Sequence, residues 1–285
     1  MNASPLFSVI VPTYQRNDLL AKCLECLAPG IQTLPAEQYE VIVTDDGSKT
    51  TAQKMISEDY PWVKWVAGPR KGPAANRNNG AKYAQGEWLA FTDDDCLPDP
   101  QWIEAYVKAI VAEPFCSIFE GRTYAPRPKQ TFAETSPVNE LGGCLWSCNI
   151  AIQKQLFESL TGFDERFPYA AMEDVDLKLR LGKIGHKFSF VKAASVCHPW
   201  RPKGGWKQLK QHHESTFIYL SLHPEESLNI NIKYYVRSGL KILIKDTIPN
   251  LYRYKLKGIK EAFLEHISWG WMVFLLIRNQ RQKIM

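Results

Sequence analysis

Three consecutive carboxylates close an apolar run in this 285-residue chain, where Glu87–Pro98 reads E-W-L-A-F-T-D-D-D-C-L-P. Adjacent acids at the mouth of a buried strand repel one another and resist desolvation. A divalent cation relieves both costs. Hard carboxylate oxygens suit Mg²⁺ or Mn²⁺, which take one or two such ligands and complete their shell with substrate phosphates. The competing reading is a solvated turn at Asp93, Asp94 and Asp95, feeding a helix that starts at Asp99-Pro100. Two further acidic stretches stand out: Asp45-Asp46 after Tyr39–Thr44, and Glu173-Asp174-Val175-Asp176 at the head of a helical pattern.

Strand and helix signals alternate through the first hundred residues, which favours a mostly parallel, doubly wound α/β sheet. Strands are expected at Phe7–Val11, Tyr39–Thr44, Trp62–Ala67 and Glu87–Phe91, with helices near Asp18–Leu27, Thr50–Glu58, Gly72–Ala84 and Gln101–Ala112. In open α/β sheets, ligands bind outside the carboxyl ends of the strands. Pro12-Thr13, Asp45-Asp46 and Asp93–Asp95 all fall at such ends, so one rim collects the polar residues. The middle of the chain is less regular. Ala125–Pro137 reads as a Pro/Lys/Thr-rich loop, Leu145–Ile152 as a strand, and Val175–Leu181 as a helix stopped by Gly182 and Gly185.

Four motifs stand in order: V-I-V-P-T-Y (9–14), V-T-D-D-G-S (43–48), F-T-D-D-D (91–95) and E-D-V-D-L-K-L-R (173–180). With G-P-A-A-N-R-N-N-G (72–80) and G-F-D-E-R-F (162–167), the chain resembles the family 2 glycosyltransferases over roughly residues 5–200. The resemblance implies a GT-A (Rossmann-like) fold and transfer of a sugar from a nucleotide-sugar donor. Asp93 and Asp95 match the D-x-D acids around a Mn²⁺ or Mg²⁺, with Asp95 the preferred direct ligand and Asp94 placed toward the ribose. Asp46 matches the base-recognising acid, and a carboxylate can accept the imide N–H of uracil. Pro12 and Tyr14 would line that base pocket, and Arg77 would approach the diphosphate. Asp174 matches the general base that takes the acceptor hydroxyl's proton; Glu173 would orient the acceptor, and Asp176 is read as structural. Direct displacement inverts configuration and needs only one positioned base. Some relatives place a metal-binding His where His198 stands.

Two departures narrow the reading to single-sugar transfer. No Q-x-x-R-W sequence follows the E-D motif, as it does in processive polysaccharide synthases, and no apolar run is long enough to span a bilayer. Seven cysteines without a secretory signal point to reduced thiols and a cytoplasmic location. Cys23 and Cys26 fall in a helical pattern that favours core packing over zinc.

Residues 1–200, read as the glycosyltransferase domain (donor half 5–125, acceptor half 126–200), carry a balance of −4. Residues 201–285, read as a helical extension outside the resemblance, carry +9. That excess suits an anionic membrane surface or a lipid-linked acceptor, and the absence of any nucleic-acid-binding module argues against DNA or RNA. Ile267–Ile277, with Trp269 and Trp271 and flanked by Arg278, Arg281 and Lys283, reads either as an interfacial segment or as core packing. Two rival functions are a non-catalytic nucleotide-sugar-binding protein and a nucleotidyltransferase; the latter usually carries a Gly-rich loop where this chain has P-T-Y-Q-R-N.

Overall fold

A computed structural model describes residues 5–282, with side chains as far as residue 278; Lys283 and the Arg281 side chain lie outside this range. Residues 5–126 and 137–199 form one compact body, and residues 127–136 with 200–282 form another. In chain order the strands are β1 (Phe7–Thr13), β2 (Tyr39–Asp45), β3 (Val63–Ala67), β4 (Trp88–Thr92), β5 (Leu97–Pro98), β6 (Ile118–Tyr124), β7 (Glu134–Thr135), β8 (Asn149–Gln153), β9 (Ser189–Cys197) and β10 (Arg201–Pro202). The helices are α1 (Asn17–Leu27), α2 (Gln53–Asp59), α3 (Pro73–Lys82), α4 (Trp102–Ala112), α5 (Lys154–Ser159), α6 (Glu173–Lys183), α7 (Trp206–Leu222), α8 (Ile232–Ile242), α9 (Ile248–Arg253) and α10 (Ile259–Gln282).

The first body is an eight-stranded mixed sheet in the order β3-β2-β1-β4-β8-β6-β9-β5. Strands β1 to β4 pair in parallel, as their βα alternation requires, whereas β8 is antiparallel to both β4 and β6. Every residue of β1 is buried, and alternation divides its side chains between two cores. Phe7, Val9 and Val11 join Leu20, Leu24, Trp102 and Tyr106 on one face; Ile10 joins Phe91, Phe157, Phe163 and Leu177 on the other.

Strand β6 lies in the stretch that reads as irregular. Its pattern I-F-E-G-R-T-Y hides a strand because a carboxylate, Glu120, is buried at its centre. Asn139 and the backbone N–H groups of Gly143, Cys144 and Leu145 all donate to that carboxylate, which is how the charge is tolerated. These bonds also keep Leu145–Ser147 out of the strand expected there. Strand β9 runs beside β6 with a register shift between Gly121 and Arg122.

The second body is mainly helical. The loop segment 127–136 belongs to it, not to the sheet, because Phe132 is buried against Tyr254 and Ala262 and β7 pairs with β10. Helices α8 and α10 meet through Tyr235 and Trp269, whose rings are 5.1 Å apart. Trp271 packs edge-on to Trp206 of α7. Both tryptophans of the expected interfacial segment therefore make contacts inside this body. No helix among the described residues is long and apolar enough to cross a membrane.

Candidate active site

The acid triplet follows β4 directly, on the same rim as the ends of β1 and β2. Asp94 is fully buried and accepts hydrogen bonds from Thr13 Oγ1 at 2.7 Å and Arg16 Nε at 3.2 Å. Arg16 also pairs with Asp95 at 3.1 Å, so one guanidinium is shared by two neighbouring carboxylates. Burial still dominates at Asp94, pushing its carboxyl up to about 7 against the opposing pull of Arg16. A ribose hydroxyl would have to displace these partners to reach Asp94.

Asp95 Oδ1 lies 3.3 Å from His198 Nε2, and the ligand atoms of Asp95, Cys96 and His198 all fall within 4.8 Å of one another. Burial raises the Cys96 thiol well above its ordinary value, and a soft sulfur is in any case a poor match for Mn²⁺ or Mg²⁺. The remaining donors, a carboxylate and an imidazole, are chemically suited to Mn²⁺. Asp93 is outside this cluster; its Oδ1 accepts a 2.6 Å hydrogen bond from Arg77 Nη2.

Arg77 is the centre of the arrangement. Only 4% exposed, it reaches Asp93 with one terminal nitrogen and Glu173 Oε1 with the other, at 3.1 Å. Its guanidinium lies 5.7 Å from the Phe163 ring. Two acidic motifs 80 residues apart in sequence (93 and 173) thereby share one buried cation. Any contact of Arg77 with a diphosphate would be made beside Asp93.

Met172 enters α6 with a φ of +75°, a left-handed conformation that non-glycine residues rarely adopt. This turn, strained as functional-site backbone often is, delivers Glu173 and Asp174 to the helix start, where the dipole favours carboxylates. Glu173 is buried, and its Oε2 has no hydrogen-bond partner among the described residues. Burial first, and then the neighbouring Asp174, push its carboxyl up to about 7. Burial also raises the carboxyl of Asp174, opposed by Arg77 and by the Val175 N–H, which donates to Oδ1 at 2.8 Å. Asp176 instead pairs with Arg180 at 2.7 Å.

At the end of β2, Asp45 and Asp46 divide their work. Asp45 closes its own loop, accepting from Gly47 N, Ala52 N and Trp65 Nε1. Asp46 accepts from Arg70 N at 2.8 Å, and burial raises its carboxyl above the usual range. Gly68 is required beside it, since a Cβ there would lie 2.2 Å from Asp46 Oδ1. Pro12 is buried in β1, whereas Tyr14 is 55% exposed at the strand's end.

Sequence reasoning missed four contributors. Thr13 and Arg16 stand in P-T-Y-Q-R-N, where the sequence marked Thr13 only as a strand end and gave Arg16 no role. Asn78, inside the quoted N-R-N-N motif, exchanges hydrogen bonds with Phe163 N and O and so ties α3 to the G-F-D-E-R loop. Gly162 fits there with a φ of +73°, its missing Cβ leaving room for Asn78 Oδ1. Glu120 had no local signal.

A family model described as glycosyl transferase family 2 matches residues 8–159. The chain belongs to glycosyl transferase family 2. It is 29% identical to the validoxylamine A glucosyltransferase of Streptomyces hygroscopicus subsp. limoneus, over 64% of this chain and 49% of that one. The chain thus spans about half the length of that relative. Among solved structures, Staphylococcus aureus TarS 1–349 in complex with UDP-GlcNAc superimposes with a TM-score of 0.57 at 20% identity, covering 87% of this chain and 78% of that one. The mannosyltransferase PcManGT from Pyrobaculum calidifontis, in complex with GDP-Man and Mn²⁺, gives 0.59 at 18% identity, covering 99% and 88%. The fold of this family 2 member is GT-A.

Proposed function

We propose that the protein is an inverting glycosyltransferase that moves one sugar from a nucleotide sugar to an acceptor hydroxyl. The observation that carries this reading is the Arg77 bridge, which draws the donor-side acid Asp93 and the acceptor-side acid Glu173 into one buried cluster. Five carboxylates (Asp93, Asp94, Asp95, Glu173, Asp174) face two guanidiniums there, an imbalance that favours a bound cation.

Asp95 and His198, with Asp93 nearby, would hold Mn²⁺ or Mg²⁺, which as a Lewis acid neutralises the departing diphosphate. Asp174 takes the proton from the acceptor hydroxyl as its oxygen attacks the anomeric carbon. Glu173 orients the acceptor, and Arg77 holds Glu173 and Asp93 in place. The base pocket is formed by Pro12, Tyr14 and Asp46, with Asp46 accepting an imide N–H; this favours a uridine donor. The acceptor is a saccharide or a lipid-linked saccharide at an anionic membrane surface, which suits the basic second body and a cytoplasmic protein peripheral to the membrane's inner face.

The test is nucleoside diphosphate release from a panel of nucleotide sugars, with Mn²⁺, with Mg²⁺ and with excess chelator. Release that depends on the cation and is lost in Asp95→Ala supports the reading. Unchanged release in chelator removes the metal from it, and no release with any donor leaves a binding protein. Calorimetry should show UDP binding more tightly than GDP; the reverse order would overturn the uridine assignment alone.

A further inference from the structure

The second body leaves a long apolar ridge uncovered. Val236, Leu240, Ile244, Ile248 and Tyr252 recur at every fourth residue along α8, the π-helical turn after it and α9, and are between 47% and 94% exposed. An α-helix turns about 100° per residue, so such a ridge drifts by about 40° per step. The wider π-helical turn at Leu243–Thr247 opposes that drift between Ile244 and Ile248. On α10, Phe263, Ile267 and Phe274 are exposed as well. The inner face of α8 is already occupied, with Tyr235 buried against Trp269, so the ridge is surface left over after the body has packed.

Beside the apolar ridge runs a basic one. Arg237, Lys241, Lys245 and Arg253 each follow one residue after an apolar member, about 100° around the helix. Lys233, Arg237 and Lys241 line an open cleft with Tyr234, Asn229 and Asn231, a set made up of cations and hydrogen-bond donors. None of these three cations is paired with a carboxylate among the described residues.

We infer that this face is an interfacial membrane-binding surface: the Val236–Tyr252 ridge enters the headgroup layer of an anionic phospholipid leaflet, and the Lys233/Arg237/Lys241 cleft receives lipid phosphates. The inference deepens the proposed function by giving the membrane contact its residues. An apolar stripe with basic flanks is the pattern that lies in a bilayer interface and responds to anionic lipid. A second copy of the chain fits less well, because matching the two stripes would bring two rows of cations together. A nucleic acid would satisfy the cations and leave the stripe in water.

The test is flotation of the full-length protein with vesicles of phosphatidylglycerol and phosphatidylcholine, compared with pure phosphatidylcholine. Binding is expected only to the anionic vesicles, weakening at about 1 M salt, where screening is nearly complete. Leu240→Glu/Ile244→Glu and, separately, Arg237→Glu/Lys241→Glu should each lower partitioning roughly tenfold or more. Both variants change exposed side chains, and far-UV circular dichroism and donor binding should match wild type. Failure of wild type to float at low salt overturns the inference, as does flotation of both variants at wild-type levels. So does a concentration-dependent dimer that Leu240→Glu/Ile244→Glu dissolves while vesicle binding persists. Nucleoside diphosphate release without flotation defeats this inference alone; flotation without release from any donor defeats only the transferase reading.

Discussion

The rim of the first body packs four carboxylates, Asp94, Asp95, Glu173 and Asp174, and the Arg77 guanidinium into largely buried space, with Glu173 3% and Arg77 4% exposed, while Arg16 reaches in from an exposed position. The α8–α9 face of the second body does the reverse, keeping its cations in water and leaving Ile244 61% and Tyr252 94% exposed. Buried charge is costly unless paired and hydrogen-bonded, so the rim tolerates little substitution. An exposed apolar ridge adds little to folding, so its sequence is free to answer to a partner. Residues whose removal damages the fold and residues whose removal damages binding should therefore segregate by body.

The largest effect should come from Arg77→Ala, which leaves buried Glu173 and half-buried Asp93 without their common cation. A loss of about 3–5 kcal/mol is expected in denaturant or thermal unfolding. A loss below about 1 kcal/mol would show that the bridge is solvated and would blur the contrast between the bodies.

The pH dependence of stability comes next. Burial and Asp174 push the Glu173 carboxyl up to about 7, so the folded state holds a proton that the unfolded chain releases. Its stabilising contribution is complete below the ordinary glutamate value near 4.3 and is lost as pH rises through about 7. Between pH 5 and 8, wild type should lose stability relative to Glu173→Gln by at most about 3 kcal/mol. Parallel stability curves for the two proteins would place Glu173 in a wetter site.

Asp174→Asn should lower turnover by about 10²-fold or more while donor affinity, read by calorimetry, stays within a few-fold. Turnover close to wild type would move the base to another residue, and Glu173 would be the next to test.

The smallest effect sharpens the comparison from the other side. Phe263→Ala, at a residue 66% exposed, should change stability by no more than about 0.5 kcal/mol. Phe91→Ala, in the sheet core, should cost about 3–5 kcal/mol. A large loss at Phe263 would mean that the apolar face belongs to the core after all.

Local order made much of the first body legible. Apolar runs ending in Pro12-Thr13, Asp45-Asp46 and Asp93–Asp95 marked strands and their rim, because strand burial and strand-end polarity are written within a few adjacent residues. Strand β6 escaped because the donors that make Glu120 tolerable, Asn139 and Gly143–Leu145, lie well downstream. Segment 127–136 read as a loop of the acceptor half, since nothing near Phe132 announces that Tyr254 will cover it. The segment with Trp269 and Trp271 read equally as interfacial or as core packing; the two rings pack on Tyr235 and Trp206, while the exposed ridge is carried by more ordinary residues.

The sequence by itself determined the family, the alternation that builds the parallel half of the sheet, and the candidate acids. Each of these rests on residue type and short spacing. Only the tertiary structure decided the pairing: Arg16 on Asp94 and Asp95, Arg77 between Asp93 and Glu173, and His198 beside Asp95. Charge neutralisation acts over a few ångströms of space and is indifferent to the 80 or 100 residues of chain between partners, so no local pattern could encode which cation each acid would meet.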